Sequence, residues 1–418
     1  MLLQFNVTNA LSFKDEAILD LIADTDSSHE ENLIKNKNSK VLPSIAIYGA
    51  NASGKSNLFK ALTAAILYVR NSNNMQINSK IALVPFLLDQ ESRYNPVRMD
   101  FIFVRNEIKY EYGFAADSEK VYEEYLYAYK SAKPSLIFER FEVNKYRYTA
   151  SLKNSLKQYE SKNADNKLFL ATATAWNCQE TKEAFLWFAE DIDTFDRASI
   201  EGAMSALMDA DKNNLSKGFL LKALNIADFN ISDYEYTAKT SDLSQIPLPP
   251  GLALDEKLLG EIKAKTWDLR FVHDVENSEQ IEKYVLPYQM ESNGTMSFVA
   301  YGLVIYEALK KGKTIVVDEI DNGLHPVLVQ YLINLFNHSK VNRNGAQLIF
   351  NTHAVTLLDL DVFRRDQIYF VEKDNKTGKS ELFALSDFSP RKTEKVQKGY
   401  LQGRYGALPE IGLEDITW

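Results

Sequence analysis

The chain has 418 residues, 45% of them hydrophobic and 25% charged, with a formal net charge of -9. That composition is ordinary for a globular protein with a sizeable core, and the length predicts two or three lobes. The acidic balance excludes a protein wrapped wholesale by nucleic acid and leaves room only for a local basic groove. A single cysteine, Cys178, excludes an internal disulfide and points to a reducing compartment. With no cysteine partner and no histidine or acid arranged around it, Cys178 reads as structural. The opening residues Met1-Leu2-Leu3-Gln4-Phe5-Asn6-Val7 lack the charged and apolar regions of a signal peptide. No apolar run approaches membrane-spanning length, so the expected location is the cytoplasm, with no membrane partner.

Residues 2–13 alternate apolar and polar positions (Leu3, Phe5, Val7), the period of a half-buried strand. A second strand is expected over Ala17-Ile18-Leu19-Asp20-Leu21, and the polar Asp24–Lys40 segment reads as a surface loop. Ser44-Ile45-Ala46-Ile47-Tyr48 is a buried strand by its apolar run, and helical spacing follows from Leu58 to about Val69. From Val97 to Tyr129 three period-two runs separated by short turns predict an antiparallel meander. Between about 150 and 262 the character changes, with helices expected over Ser151–Glu160, Gln179–Asp191 and Leu215–Ile226. Ile246-Pro247-Leu248-Pro249-Pro250-Gly251 breaks regular structure, and no sustained heptad supports a coiled-coil arm. Trp176, Phe185, Trp187 and Phe188 could stack bases, but the segment is not basic, so they read as core.

Strand signals return at 266–272 and 283–286. A helix is expected over 295–310, a strand over 314–318, a helix over 326–337 and a buried strand over 346–351. Residues 367–371 and 381–385 form a closing pair around a Lys-Asp-Asn-Lys-Thr-Gly turn. Strand alternating with helix in this half predicts a parallel sheet continuing from Ser44–Tyr48. The resulting division is an N-terminal lobe over 1–149, a mainly helical insertion over 150–262 and a C-terminal lobe over 263–418.

The stretch Gly49-Ala50-Asn51-Ala52-Ser53-Gly54-Lys55-Ser56-Asn57 carries G-x-x-x-x-G-K-S between a strand and a helix. In that context successive backbone N–H groups form an anion nest, to which the helix N-terminus adds its positive dipole end. Lys55 is expected to reach the β- and γ-phosphates and the Ser56 hydroxyl to ligate Mg²⁺. Gly49 and Gly54 are expected to let the backbone approach phosphate. Lys313-Thr314-Ile315-Val316-Val317-Asp318-Glu319 is an apolar strand ending in two acids. Asp318 is placed to hold Mg²⁺ through its water shell, and Glu319 to polarise the water attacking the γ-phosphate. Asn351-Thr352-His353 follows another buried strand, so His353 can reach the γ-phosphate. Glu291-Ser292-Asn293-Gly294-Thr295 precedes a helix and offers either a second anion site or a plain helix cap.

The order of phosphate loop, long insertion, S-x-G-T, strand with Asp-Glu and Thr-His resembles the ATP-binding-cassette ATPases of the SMC and recombination type. Glu291–Thr295, Asp318-Glu319-Ile320-Asp321-Asn322-Gly323-Leu324-His325-Pro326 and Asn351–His353 are similar to the single-chain cassette ATPases of bacterial abortive-infection systems. So are Phe363-Arg364-Arg365-Asp366-Gln367-Ile368-Tyr369-Phe370-Val371-Glu372-Lys373 and Gly399-Tyr400-Leu401-Gln402-Gly403-Arg404-Tyr405-Gly406. The resemblance covers 1–130 and 266–418 well and the middle loosely. It implies an α/β fold of ABC ATPase-head type, with a mixed-sheet N-lobe, a parallel-sheet P-loop core and a largely helical insertion. It implies ATP and Mg²⁺ as cofactors, with Gly49, Asn51, Gly54, Lys55, Ser56 and Asn57 around the nucleotide.

By the same resemblance Ser292, Gly294 and Thr295 match the signature loop that closes over a partner's ATP. Asp321 matches the acid of the loop crossing the dimer interface, Glu319 the catalytic carboxylate and His353 the switch histidine. Met296 departs from the polar residue usual there, and Gln90 is the candidate for the Mg²⁺-sensing glutamine. The implied assembly is an ATP-sandwich dimer or higher homo-oligomer gating a defence response through a separate effector, such as a Toprim-type nuclease. A DNA-clamping repair cassette, with Arg391, Lys392, Lys395, Lys398 and Arg404 as its basic patch, and a slow-turnover scaffold stay open. A GTPase is disfavoured, since no intact N-K-x-D motif occurs. A transporter cassette is disfavoured by the long insertion.

Overall fold

The computed structural model describes residues 1–37, 39–211, 213–242, 263–277 and 280–409. The opening alternation forms β1 (Leu2–Thr8) and β2 (Ala17–Asp20), an antiparallel pair. The 24–40 segment is not loop throughout. Within it β3 (Ile34–Asn36) and β4 (Ser39–Val41) pair antiparallel with Ile34 opposite Val41, an apolar pair that closes the ribbon. Next come β5 (Ser44–Tyr48), buried at every position, and α1 (Lys55–Asn71). The expected meander is present as β6 (Val97–Arg105), β7 (Ile108–Ala116) and β8 (Val121–Tyr129), and β9 (Ser135–Phe141) and β10 (Lys145–Tyr148) extend it. These strands and the first pair build a seven-stranded antiparallel sheet in the order β10-β9-β8-β7-β6-β1-β2.

The next stretch is less purely helical than its pattern suggests. α2 (Lys153–Lys157) is shorter than expected, and α3 (Phe169–Ala175) is additional. α4 (Gln179–Leu186) ends in a π-turn over Trp187–Asp191, and β11 (Ile192–Phe195) follows directly. Then come α5 (Arg197–Ala210), α6 (Leu215–Ile226), β12 (Asp233–Asp242), β13 (Lys263–Asn277) and β14 (Gln280–Pro287). The last three strands form their own antiparallel sheet. The Pro-rich break expected at 246–251 lies outside the described residues.

The C-terminal elements match their expected places: α7 (Asn293–Lys311), β15 (Thr314–Val317), α8 (Pro326–Asn337), β16 (Gln347–Asn351), β17 (Ile368–Lys373) and β18 (Ser380–Ala384). A short α9 (Val396–Leu401) follows. The core sheet has the order β11-β15-β16-β5-β17-β18 and is parallel except for the β17–β18 hairpin. The strand leading into the phosphate loop is therefore central, flanked in parallel by β16 and β17. α1 packs its buried residues into the core, with Tyr68 edge-on to Phe114 of β7 at 5.6 Å.

The chain divides into two compact units. One comprises Met1–Asp196, Ala308–Asp321 and Val329–Trp418, the other Arg197–Glu307 and Asn322–Leu328. The boundaries expected near 150 and 263 do not fall on these limits, because residues 150–196 are tied to the first unit. Trp187 stacks on Phe103 at 4.2 Å, Phe188 meets Phe101 edge-on at 5.0 Å, and β11 pairs with β15. Such aromatic pairs contribute about 0.5–1.5 kcal/mol each beyond the area they bury. Phe185 is half-buried, whereas Trp176 is 53% exposed with Lys162 over its ring at 3.7 Å. Cys178 is buried, and burial pushes its thiol pKa up, but an acid does stand beside it: Sγ donates to Glu180 Oε2 at 3.3 Å, because the start of α4 brings residue 180 back over the thiol.

Two stretches quoted for the family resemblance turn out to hold the first unit together. The buried Arg364 guanidinium donates to Asp24, Asp366 and the carbonyls of Asp26 and Ser28, pinning the chain ahead of β3. Tyr400 and Tyr405 stack on Phe370 of β17 at 5.3 and 5.9 Å. Among the described residues no helix is long and apolar enough to cross a membrane.

Candidate nucleotide-binding site

The loop leaves the carboxyl end of the central parallel strand and opens α1, the position at which open α/β sheets bind ligands. Ala52 (φ 61) and Gly54 (φ 117) take positive φ, which turns successive peptides inward. Ser53 N–H closes the turn on Ala50 O at 3.2 Å. The N–H groups of Asn51, Ala52 and Gly54 donate to no acceptor among the described residues, so the nest has donors to spend.

The glycines also have a role the motif did not suggest. A Cβ on Gly49 would stand 2.3 Å from Val371 O, and one on Gly54 2.3 Å from Ser380 Oγ and 2.8 Å from Ser12 Oγ. The atoms in the way belong to β17, β18 and the β1–β2 turn. Both positions are therefore set by protein packing on the loop's outer side as well as by access for an anion.

Lys55 is buried, and its Nζ donates to Gly49 O at 2.8 Å and Ala50 O at 3.0 Å. Burial lowers its pKa, while the carboxylates of Glu319, Asp318 and Asp321 pull the other way. Ser56 Oγ donates to Asp318 Oδ1 at 3.1 Å, so the two residues expected to share a cation already meet. The site therefore fits Mg²⁺ as that ion is usually held near phosphates, by a hydroxyl and one carboxylate beside a backbone nest.

Asn351, at the end of β16, organises the acidic pair. Its Nδ2 donates to Asp318 Oδ1, and its Oδ1 accepts the Glu319 N–H. Asp318 N–H in turn donates to Phe195 O at 2.9 Å, so β11 and β16 hold this turn from its two sides. Glu319 takes φ 57, unusual for a non-glycine residue, and its side chain is exposed. The sequence placed Asn351 next to His353 without giving it a role. The available signal was an amide closing the apolar run Leu348-Ile349-Phe350, beside the strand that ends in acids. Replacing Asn351 by alanine strands the Glu319 N–H and unpins Asp318, at a cost of about 1–3 kcal/mol. The expected result is a lowered melting temperature, measured by calorimetry.

Asp321 Oδ2 accepts the His353 N–H at 3.1 Å, while its Oδ1 is buried without a partner, as are Tyr48 OH and Ser53 Oγ. Asp321 is thus engaged with the backbone of His353 in its own chain, and the His353 side chain is exposed. Asn57 Nδ2 donates to Ser12 Oγ at 3.0 Å and so braces the loop, while Asn51 is exposed at its tip. Gln90 is exposed in the loop after α1, beside Asp89, which pairs with Lys14.

In the second unit Ser292 caps α7. Its Oγ accepts the Thr295 N–H at 3.0 Å and lies 2.8 Å from Thr295 Oγ1. Ser292 is exposed and Thr295 buried; a Cβ on Gly294 would lie 3.1 Å from Gly323 O. The S-x-G-T stretch is therefore a capped helix N-terminus with its first turn packed on the Asn322-Gly323 turn. Glu291, just ahead, binds His273 Nε2 of β13 at 2.8 Å.

A parallel sheet with a phosphate loop on its central strand and a Ser–Asp pair at its foot defines a nucleotide-binding fold of the P-loop class. A family model described as "AAA domain, putative AbiEii toxin, Type IV TA system" matches residues 44–359, and the chain belongs to that family of ATPase domains. Curated protein sequences show no match to the chain. Among solved structures it is similar to the SMC head domain from Thermotoga maritima, 13% identical with a TM-score of 0.42 over 92% of this chain and 98% of that one. It is also similar to the SmcHead bound to the C-winged helix domain of ScpA, 11% identical with a TM-score of 0.38 over 95% and 99% of the two chains.

Proposed function

We propose that the chain binds ATP with Mg²⁺ at Gly49–Ser56, hydrolyses it to ADP and phosphate, and uses the nucleotide as a switch on its own assembly. The observation that carries this reading is the Ser56–Asp318 contact at the foot of a loop whose backbone donors are unspent. Lys55 exchanges its two carbonyl partners for phosphate oxygens, and the loop N–H groups hold the remaining charge. Mg²⁺, held by Ser56 and Asp318, would neutralise charge developing between the β- and γ-phosphates. Glu319 accepts the proton of the attacking water, and Asn351 keeps its backbone in place. His353, anchored through Asp321, faces the γ-phosphate.

A second copy completes the site with Ser292 and Gly294, so that ATP favours the closed dimer and hydrolysis releases it. On this reading the switch serves anti-phage defence in the cytoplasm, by controlling a separate effector of the Toprim nuclease class. The words "putative AbiEii toxin, Type IV TA system" in the family description support that context. The DNA-clamp alternative has weaker support, because its basic patch is partly spent. Arg404 pairs with Glu394, and Lys392 lies 3.4 Å from Asp26.

Ser292→Asp tests the sandwich. Aspartate caps a helix as well as serine does, so α7 is kept while a carboxylate faces the partner's triphosphate. The expected outcome is unchanged ATP binding by calorimetry with loss of the ATP-dependent dimer in light scattering. A variant that still dimerises with ATP overturns the sandwich, and wild-type protein that ignores ATP overturns the whole reading.

A further inference from the structure

Two serines distant in sequence are buried against the outer side of the phosphate loop, and the proposed ATP chemistry assigns neither of them. Ser380, the first residue of β18, donates from Oγ to Ser53 O at 2.6 Å, and its N–H donates to Ser12 O at 2.8 Å. Ser12 Oγ in turn accepts from Asn57 Nδ2 at 3.0 Å. The side chains of Ser380, Ser12 and Ser53 are all buried. This contact depends on Gly54, since any Cβ there would overlap both serine hydroxyls.

The peptide between Ser53 and Gly54 is trans, so its carbonyl and its N–H point in opposite directions. A carbonyl held on Ser380 therefore aims the Gly54 N–H away from β18, and that N–H finds no acceptor among the described residues. Glycine has the widest conformational freedom of any residue. Without an outside anchor, the Ser53–Gly54 peptide could rotate and present its carbonyl oxygen to an anion instead of its N–H. One flipped peptide turns an attractive dipole into a repulsive one in a site built to hold a polyphosphate.

We infer that Ser380 is a positioning residue for the polyphosphate, acting through the Ser53 carbonyl to keep the Gly54 N–H in its anion-binding direction. Ser12 acts separately, tying Asn57, in the first turn of α1, to the β1–β2 turn. Affinity for nucleotide phosphate thus depends on the β17–β18 hairpin, more than 300 positions downstream of the loop. This rests on the nucleotide reading above and goes beyond it by assigning a residue outside every motif.

The test uses the full chain, with calorimetric titration of Mg–ATP, Mg–ADP and inorganic pyrophosphate, and with melting temperatures measured without ligand. Ser380→Ala is expected to weaken all three ligands by a similar factor, roughly tenfold for one charge-assisted hydrogen bond lost or misdirected. Its ligand-free melting temperature should stay close to that of the wild type, because the released peptide turns the Ser53 carbonyl to solvent instead of leaving it buried and unpaired. Ser380→Cys, nearly isosteric with a weak S–H donor, should fall between the two. Ser12→Ala leaves the Ser53 carbonyl held and should bind all three within about twofold of the wild type.

Ser380→Ala with wild-type affinities overturns the inference while leaving the ATP reading intact. So does a loss of affinity matched by a fall in ligand-free melting temperature that Ser380→Cys does not recover. Wild-type protein that binds none of the three ligands removes the ATP reading and this inference together.

Discussion

Lys55→Ala is expected to abolish measurable ATP binding and to cut turnover at least about 100-fold, the usual effect of removing one preorganised charge partner from a phosphoryl-transfer site. The size follows from where the amine sits. It is buried, rests on two loop carbonyls, and is the charge that offsets Asp318, Glu319 and Asp321. A polyphosphate entering without it would meet three carboxylates and the exposed carbonyl ends of Gly49 and Ala50. Calorimetry with Mg–ATP and a phosphate-release assay measure the two effects. Retained binding would show that the loop alone holds the nucleotide.

The same residue makes a prediction about pH. Burial holds the Lys55 pKa below its ordinary 10.5, so the folded chain gives up this proton before the unfolded chain does. Between the two pKa values the unfolded state holds more protons, and the Lys55 contribution to stability rises with pH. Below both values the buried charge is a constant penalty. Lys55→Met is therefore expected to raise the ligand-free melting temperature at neutral pH while removing ATP binding, as when stability is given up for function. Thermal denaturation from neutral to alkaline pH should show the gap between variant and wild type narrowing as pH rises. A gap that widens refutes the assigned sign.

Glu319→Gln is expected to reduce turnover about 100- to 1000-fold while leaving ATP affinity within a few-fold of the wild type. The side chain is exposed on a turn held by Asn351, so the amide keeps the shape of the site and loses only its proton acceptor. Hydrolysis is the step that opens the proposed dimer, so the variant should accumulate as an ATP-bound dimer in light scattering. This also separates the switch from a slow-turnover scaffold. If wild type and Glu319→Gln turn over equally slowly, Glu319 is not the catalytic base and the scaffold reading replaces the switch.

Most of the core elements could be placed from residue pattern. Period-two runs marked the meander, and the apolar runs before Gly49, Asp318 and Asn351 marked the three central strands. Those strands are buried on both faces, so their signal is local and continuous. The short strand Ile192–Phe195 was missed because four residues after a π-turn carry no readable period. Its partner, Thr314–Val317, lies more than 100 residues away. The ribbon at 34–41 was hidden in the same way inside a polar segment.

Residue types and spacing alone singled out Lys55, Ser56, Asp318, Glu319 and the helix start at Ser292 as candidates. Each belongs to a contiguous motif whose chemistry needs those side chains in that order. Only the tertiary structure gave contacts to Asn351, Ser380 and Ser12, and joined the Asn57 amide to Ser12. Those contacts are hydrogen bonds between segments brought together by the sheet order β15-β16-β5-β17-β18 and by the β1–β2 turn. A side chain's local sequence can show what it is able to donate or accept. Which carbonyl or carboxylate it meets is decided by long-range pairing, and no spacing along the chain encodes that directly.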